Sequence, residues 1–248
     1  MSEVNRIKKK IYERDSKKWW GDDFDVRFYL ISKIKYLKNK SILDVGGGIG
    51  IISSELDASN FRINIDTSFE DLKTCKNQVP EIQNVCGSMT HLPFVNNSFD
   101  SIICSHLLEV AKLLDIQNQN TIIENDVITY PTIEKTLEEI HRVMKNKSNM
   151  YLTTPNNLRY KSTKLDYHEL KNALKNYFSK YSLSFYNTYP RLSKRNRKLN
   201  LANVIPKLMS KIQNQEKICQ SLLKKDLGKE IGSVSFYVEV SKNEDKLE

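Results

Sequence analysis

The sequence predicts an α/β fold in which helices cover both faces of a mostly parallel β-sheet. From residue 41 to residue 178, β-branched runs typical of strands alternate with segments of helical periodicity. The first predicted strand, Ser41–Val45, runs directly into the glycine cluster Gly46–Gly50, which is typical of a sharp turn at a nucleotide-binding corner. A second predicted strand, Phe61–Asp66, ends in a carboxylate 20 residues after Gly46. Nucleotide-binding βαβ units show this separation.

Composition favours one soluble domain. The chain has 248 residues, of which 39% are hydrophobic, enough for a sizeable core. Its four cysteines form no C-x-x-C pair and have no histidine at metal-ligand spacing, so we expect reduced thiols and no metal site. Residues 1–15 are charged, and no apolar run approaches the roughly 20 residues of a membrane span. We therefore expect a cytoplasmic protein.

The net charge of +9 is unevenly distributed. Residues 41–156 carry 8 basic and 15 acidic side chains, a net charge of −7, whereas residues 157–230 carry 17 and 5, a net charge of +12. An acidic nucleotide-binding half suits a cationic ligand, and a basic late segment suggests an anionic partner.

The spacing of the glycines narrows the choice of nucleotide. Gly46, Gly48 and Gly50 form G-x-G-x-G, which is neither the dinucleotide fingerprint G-x-G-x-x-G nor a phosphate-binding P-loop. We expect a helix over Ile51–Leu56 whose N-terminal end faces the ligand. With Asp44 in front, the stretch resembles the first motif of the class I S-adenosylmethionine-dependent methyltransferases.

Later stretches resemble the same family, in particular its broad type 11 group. The passage from Gly87-Ser88 through Leu92-Pro93-Phe94 to Phe99-Asp100 is similar to the family's G-D…L-P-F…F-D, with Ser88 in place of the usual Asp. Ser105–Val110 and Thr136–Asn156 also resemble family motifs. The resemblance implies a Rossmann-like class I methyltransferase fold: a seven-stranded, mostly parallel sheet with helices on both faces and an antiparallel last strand.

The resemblance further implies S-adenosylmethionine as cofactor. Asp66 can accept hydrogen bonds from both ribose hydroxyls; alternatively, Asp66, Thr67 or Ser68 caps the helix predicted from Phe69. Adenine recognition is expected at Ser88 and Met89. The expected cofactor-binding residues are Asp44, Gly46, Gly47, Gly48, Gly50, Asp66, Thr67, Ser88, Met89 and Ser105.

The methyl acceptor is less defined. No N-P-P-Y or D-P-P-Y follows the fourth strand, which argues against exocyclic amines of nucleobases or glutamine, and Cys104 lacks the preceding proline of pyrimidine C5 methylation. The resemblance to the type 11 group implies an oxygen atom of a small-molecule, lipid-linked or glycan acceptor. His106 opens the loop after that strand and is the candidate base; alternatively, it is a pocket wall or helix cap. A second possible function is a methyltransferase-fold protein that binds RNA or a protein through its basic segment.

We predict three parts within a single domain over residues 1–248. Residues 1–40 form an N-terminal helical cap, residues 41–156 the cofactor-binding core, and residues 157–248 an acceptor-side half with a basic helical insertion at 191–230. Residues 111–131 are expected to be a lid or a disordered loop. One run of the insertion contains basic but no acidic residues, so we expect it to bind negative charge on an acceptor or a membrane surface. Its basic residues are Arg191, Lys194, Arg195, Arg197, Lys198, Lys207 and Lys211. Because no aromatic residues are interleaved there, RNA is not the favoured partner.

Overall fold

The structure is a computed structural model, and it describes residues 24–124, 127–155, 165–186 and 235–242. The N-terminal part of the predicted cap and the predicted basic insertion lie outside these ranges. None of the described helices has the length and apolar character needed to cross a membrane.

Seven of the described strands form one sheet. They are β1 (Ser41–Val45), β2 (Phe61–Asp66), β3 (Gln83–Cys86), β4 (Phe99–Ser105), β7 (Met144–Pro155), β8 (Lys180–Tyr186) and β9 (Ser235–Ser241), and two further strands, β5 (Ile122–Glu124) and β6 (Val127–Thr129), form a separate hairpin. The order in the large sheet is β3-β2-β1-β4-β7-β9-β8. Strand β9 lies between β7 and β8 and runs antiparallel to both, whereas the other strand pairs of this sheet are parallel. The predicted seven-stranded sheet with an antiparallel last strand is confirmed.

The described helices lie on both faces of this sheet, as predicted. They are α1 (Phe24–Ile34), α2 (Phe69–Gln78), α3 (Leu108–Gln117), α4 (Pro131–Val143) and α5 (Tyr167–Tyr177). Strand side chains alternate between two buried clusters because successive residues of a strand point to opposite faces. In β1, Leu43 joins the cluster with α3, α4 and α5, whereas Ile42 joins the cluster with α1.

The spacing of Phe24, Phe28, Ile31, Ile34 and Leu37 predicts one apolar helix face, and Ile31, Ile34 and Leu37 do contribute to the same cluster. The fully buried residues are Val26, Leu30 and Ile34, at i, i+4 and i+8, while Ile31 is half-buried. The side chains of Phe24 and Phe28, which we placed on the same face, lie outside those described.

No regular helix follows the glycine turn, contrary to the prediction for Ile51–Leu56. The segment forms turns and one 3-10 helix, Ser53–Glu55. Ile52 and Leu56 are both buried in the cluster beneath α1. Because both residues are buried against the sheet, the segment does not continue as an α-helix, and residues 51–56 do not supply the ligand-facing helix terminus that was expected.

Residues 111–124 and 127–131 form helix and hairpin, so the disordered-loop alternative is wrong for these described residues, and the lid alternative stays a prediction. Helix α3 continues to Gln117, and the hairpin β5–β6 leads into α4. The connection is anchored by Asp115, which is fully buried and accepts hydrogen bonds from the backbone N–H and the hydroxyl of Thr132 at 2.9 and 2.6 Å.

Candidate functional site

A cleft of about 230 Å³ opens where β1 and β4 end. Parallel strands with helices on both faces present their carboxyl ends together at one edge, where such folds bind ligands. Five of the predicted site residues line this cleft together with two side chains from helices: Asp44, Gly46, Gly47, Gly48 and Ser105, with Arg27 and Asp71.

The glycine turn bends in a way that other residues resist. Gly46, Gly48 and Gly50 have φ values of 71°, 52° and 74°, in the left-handed region that glycine adopts most readily. Gly47 is needed for space, because a Cβ there would collide with the Asn64 side chain and come within 2.7 Å of the Asp44 carboxylate. Gly50 is buried against Cys75, so we expect it to shape the turn without contacting a ligand.

The Asp66 carboxylate is fixed by two backbone N–H groups. Gly48 donates to Oδ2 at 2.9 Å and Ser68 donates to Oδ1 at 2.9 Å. Each carboxylate oxygen has two lone pairs, so both oxygens can still accept a further hydrogen bond. The helix-cap alternative is also answered: Ser68 caps α2, since its hydroxyl accepts from the N–H of Asp71. The exposed Thr67 lies between these two residues.

Asp44 is a buried carboxylate in β1, two residues before the glycine turn begins at Gly46. It is 1% exposed, and the Ser53 hydroxyl donates to its Oδ2 at 2.6 Å. Within the described residues its Oδ1 has no hydrogen-bond partner. Burial is the main cause that raises the pKa of Asp44 to about 6, and the negative charge of Asp66 raises the pKa further. The hydrogen bond from Ser53 and the positive charge of Arg27 lower the pKa and offset part of this rise. This carboxylate is poised for a cationic ligand.

Replacing Asp44 by asparagine is expected to stabilise the protein above pH 6. The carboxyl has a higher pKa when folded than the ordinary 3.8, so the unfolded chain releases its proton first and stability falls as the pH rises from about 4 to about 6. Two pKa units correspond to about 3 kcal/mol, which a neutral side chain recovers. Urea unfolding of Asp44→Asn and the parent at pH 7.5 should show the gain, and at pH 4.5 the gain should shrink. A variant less stable at pH 7.5 than the parent would contradict this.

Ser88 and Met89 lie beyond the end of β3, beside Asp66, and outside the lining of the Asp44 cleft. Their position follows from the register, in which Asp66 of β2 pairs with Cys86 of β3. The Ser88 hydroxyl is within 2.9 Å of the Thr90 hydroxyl and accepts from the Thr90 N–H at 3.2 Å. Met89 packs against the core. The geometry therefore places these two residues on the Asp66 side of the glycine turn.

A polar cluster occupies the ends of β4 and β7. The hydroxyls of Ser105 and Thr153 are 2.8 Å apart, and the backbone N–H of His106 donates to the Thr153 carbonyl at 2.8 Å. His106 has a φ of 58°, and its Nδ1 lies 2.9 Å from Glu109 Oε1. Glu109 also accepts from the Thr154 hydroxyl at 3.0 Å. A histidine with a carboxylate partner at Nδ1 is oriented for proton transfer at Nε2.

Sequence reasoning missed Arg27, Ser53, Asn64 and Glu109 as parts of this site. Arg27 comes from α1, far from the glycine turn along the chain, so no local pattern indicates it. Asn64 had a detectable signal, because it is a polar residue in the middle of a strand whose neighbour Ile65 is buried.

Residues 43–152 match a family model described as a methyltransferase domain. The matched span runs from β1 into β7 and includes the glycine turn, Asp66, Ser105, His106 and Glu109. Residues 43–152, less than half of the chain, are therefore similar to a methyltransferase domain.

Two curated relatives match part of this chain. An uncharacterised protein of Methanocaldococcus jannaschii is 28% identical over 127 residues, which are 51% of this chain and 46% of that protein. A demethylmenaquinone methyltransferase of Renibacterium salmoninarum is 32% identical over 80 residues, which are 32% of this chain and 34% of that protein. The chain thus spans less than half the length of each.

Solved structures share the methyltransferase fold. A SAM-dependent methyltransferase from Archaeoglobus fulgidus has a TM-score of 0.54 and 16% identity, covering 93% of this chain and 99% of that one. At this identity the likeness shows the fold alone.

The match to a methyltransferase domain implies S-adenosylmethionine as the cofactor. Two features of the cleft fit it. A Cβ at Gly48 would find only Asp66 Oδ2 within 4 Å, at 3.9 Å, so the glycine leaves open space beside that carboxylate. The buried Asp44 oxygen without a partner among the described residues is an acceptor for an ammonium or sulfonium group. Asp66 and Asp44 would therefore hold the cofactor from two sides of the turn.

Proposed function

We propose that this protein transfers the methyl group of S-adenosylmethionine to an oxygen atom of a small-molecule, lipid-linked or glycan acceptor. The observation that carries the proposal is the Asp66 carboxylate, held by the N–H groups of Gly48 and Ser68 beside an open glycine turn. A carboxylate fixed in this way can accept two vicinal hydroxyls without reorganising, which is what a ribose requires.

The residues of the cleft orient the donor. The bound cofactor supplies an electrophilic methyl group on a positively charged sulfur. Asp44, Asp66 and Asp71 give this edge of the sheet a negative charge that attracts a cation. Orientation together with desolvation supplies most of the rate enhancement expected for such a displacement.

His106 is proposed as the base that takes the proton of the acceptor hydroxyl. Glu109 Oε1 lies 2.9 Å from Nδ1 and favours the tautomer that carries a proton there, so that Nε2 has the lone pair. The His106 side chain is only 7% exposed, and it sits next to Ser105, which lines the cofactor cleft. Proton acceptance at Nε2 is therefore possible close to the methyl donor.

The acceptor is proposed to be anionic, on the strength of the sequence alone. The basic run from Arg191 to Lys211 lies outside the described residues. In methyltransferases of this type, additions near the last strands shape the acceptor side, and this run contains no acidic residue that would neutralise it.

Charge reversal in this run is expected to affect the acceptor and not the cofactor. The triple variant Arg195→Glu, Arg197→Glu and Lys198→Glu should bind S-adenosylhomocysteine as the parent does, but should bind anionic vesicles or the acceptor at least tenfold more weakly at low salt. Calorimetry and vesicle co-sedimentation provide the two measurements. If the variant binds acidic lipid, RNA and acceptor as tightly as the parent, the basic run serves only solubility and has no binding role.

The proposed activity is tested by label transfer. The protein is incubated with methyl-tritiated S-adenosylmethionine and separated small-molecule, lipid, glycan, RNA and protein fractions of a cell extract. We expect label in one of the first three fractions, bound through an alkali-stable ether or a labile ester. Label in RNA or protein would refute the proposed acceptor class, and tight cofactor binding with label in no fraction would favour the second function, binding without methylation.

A further inference from the structure

Residue Gly48, at the centre of the turn, is held on both sides by one strand. Its N–H donates to Asp66 Oδ2 at 2.9 Å, and its carbonyl accepts from Asn64 Nδ2 at 2.8 Å. Asn64 and Asp66 are two residues apart in β2, so their side chains point to the same face of the sheet. One row of side chains thus fixes both polar backbone groups of a residue whose φ is 52°.

Asn64 is built into the protein and cannot move away from the turn. Its residue is 0% exposed, and its Nδ2 also donates to Asn84 Oδ1 at 3.2 Å. Asn84 lies opposite it in β3 and donates in turn to the Ile82 carbonyl at 3.2 Å. Gly47 leaves no further space on the other side, because a Cβ there would collide with the side-chain oxygen of Asn64. The carboxamide is therefore clamped between the neighbouring strand and the turn.

The two contacts to Gly48 connect Asn64 to the proposed ribose-binding group. If the carbonyl of Gly48 loses its partner, the peptide plane after Gly48 is no longer fixed. Because glycine has wide freedom in φ and ψ, the change can pass to the preceding plane, which carries the N–H that fixes Asp66 Oδ2. Asp66 would then keep only the N–H of Ser68. A carboxylate held at one oxygen must be ordered when the ligand binds, which lowers affinity.

We propose that Asn64 is a positioning residue that pre-orients Asp66 for the ribose of the cofactor, acting through Gly48. The inference rests on the proposed function, because it assumes that Asp66 binds the ribose. It adds a role for a fully buried side chain that does not touch the ligand.

The experiment compares Asn64→Ala with the matched control Asn84→Ala, which removes the other partner of the same amide but leaves the Gly48 contact. Binding of S-adenosylhomocysteine and of 5′-methylthioadenosine is measured by calorimetry, and folding is checked by thermal unfolding. The second ligand retains the ribose but lacks the amino-acid part. We expect Asn64→Ala to weaken both ligands by the same factor, about tenfold, and Asn84→Ala to change neither by more than about threefold.

Two results for a folded Asn64→Ala would overturn the inference: both affinities within about threefold of the parent, or a loss confined to S-adenosylhomocysteine. If the parent itself binds neither ligand, the proposed function fails and the inference fails with it, whereas the two results above overturn the inference alone. Should Asn64→Ala unfold, Asn64→Ser is tested in the same way, since its hydroxyl is too short to replace the amide.

The unsubstituted protein offers a measurement that needs no variant. The side-chain amide protons of Asn64 should exchange slowly with solvent, and S-adenosylhomocysteine should slow them further as the turn becomes fixed. Fast exchange, or protection that the ligand leaves unchanged, would contradict the role for Asn64.

Discussion

Replacing Asp66 by alanine is expected to weaken the binding of S-adenosylhomocysteine by about 10²–10⁴-fold. The carboxylate would lose two charge-assisted hydrogen bonds to the ribose, each worth about 1.5–3 kcal/mol. The variant should remain folded, because Asp66 is half-buried and its protein partners, the N–H groups of Gly48 and Ser68, can turn to water. Calorimetric titration of the parent and the variant measures the effect.

Glu70→Gln is the matched control for this variant. It removes a carboxylate four residues away on the exposed surface of α2, so it changes the local charge to the same extent without touching the turn. We expect an affinity within about threefold of the parent. An Asp66→Ala variant that binds as well as this control would remove the basis for the ribose assignment.

The second large effect is expected at His106. With an acceptor identified by label transfer, His106→Gln should lower kcat by about 10²–10⁴-fold, because glutamine can form hydrogen bonds but cannot take the acceptor proton. The dissociation constant of S-adenosylhomocysteine should be unchanged, since His106 is not among the residues that line the cofactor cleft. Initial rates at saturating cofactor give kcat.

Two further variants separate chemistry from conformation. His106→Asn tolerates the positive φ of 58° better than other residues do, so a loss of kcat in it cannot be assigned to backbone strain. His91→Gln changes an exposed histidine in the turn after β3 and should keep full activity. If both His106 variants retain turnover within a factor of a few, His106 is a wall residue and orientation alone carries the reaction.

The parts of the fold that local sequence determines were predictable. Strands of the parallel sheet are recognisable because β-branched residues are buried on both faces, as in Ile42–Val45 and Ile102–Cys104. The glycine turn and Asp66 were predictable as a pair, since turn chemistry and the length of one βαβ unit fix their separation. The structure brings them to within one hydrogen bond of each other, between Gly48 and Asp66.

What the sequence did not predict depends on contacts between distant segments. The buried face of α1 is decided by the strands β7 and β9 that it packs against, where Tyr29 meets Tyr237 with ring centroids 5.0 Å apart. Residues 111–131 looked irregular because they are rich in Asn and Gln. In the described part of this connection, Asp115 and Thr132 are 17 residues apart in the sequence but are joined by two hydrogen bonds. Glu109, the carboxylate partner of His106, is an exception, because it lies only three residues further along the chain, in the first turn of α3.

The most direct test of the cofactor assignment is a crystal structure of the protein with S-adenosylhomocysteine. We predict that both ribose hydroxyls donate to the Asp66 carboxylate, that the amino-acid part lies beside Asp44, and that the glycine turn from Gly46 to Gly48 contacts the ligand. A ligand seated elsewhere, or a ribose held by other residues with Asp66 still bound only to Gly48 and Ser68, would contradict it.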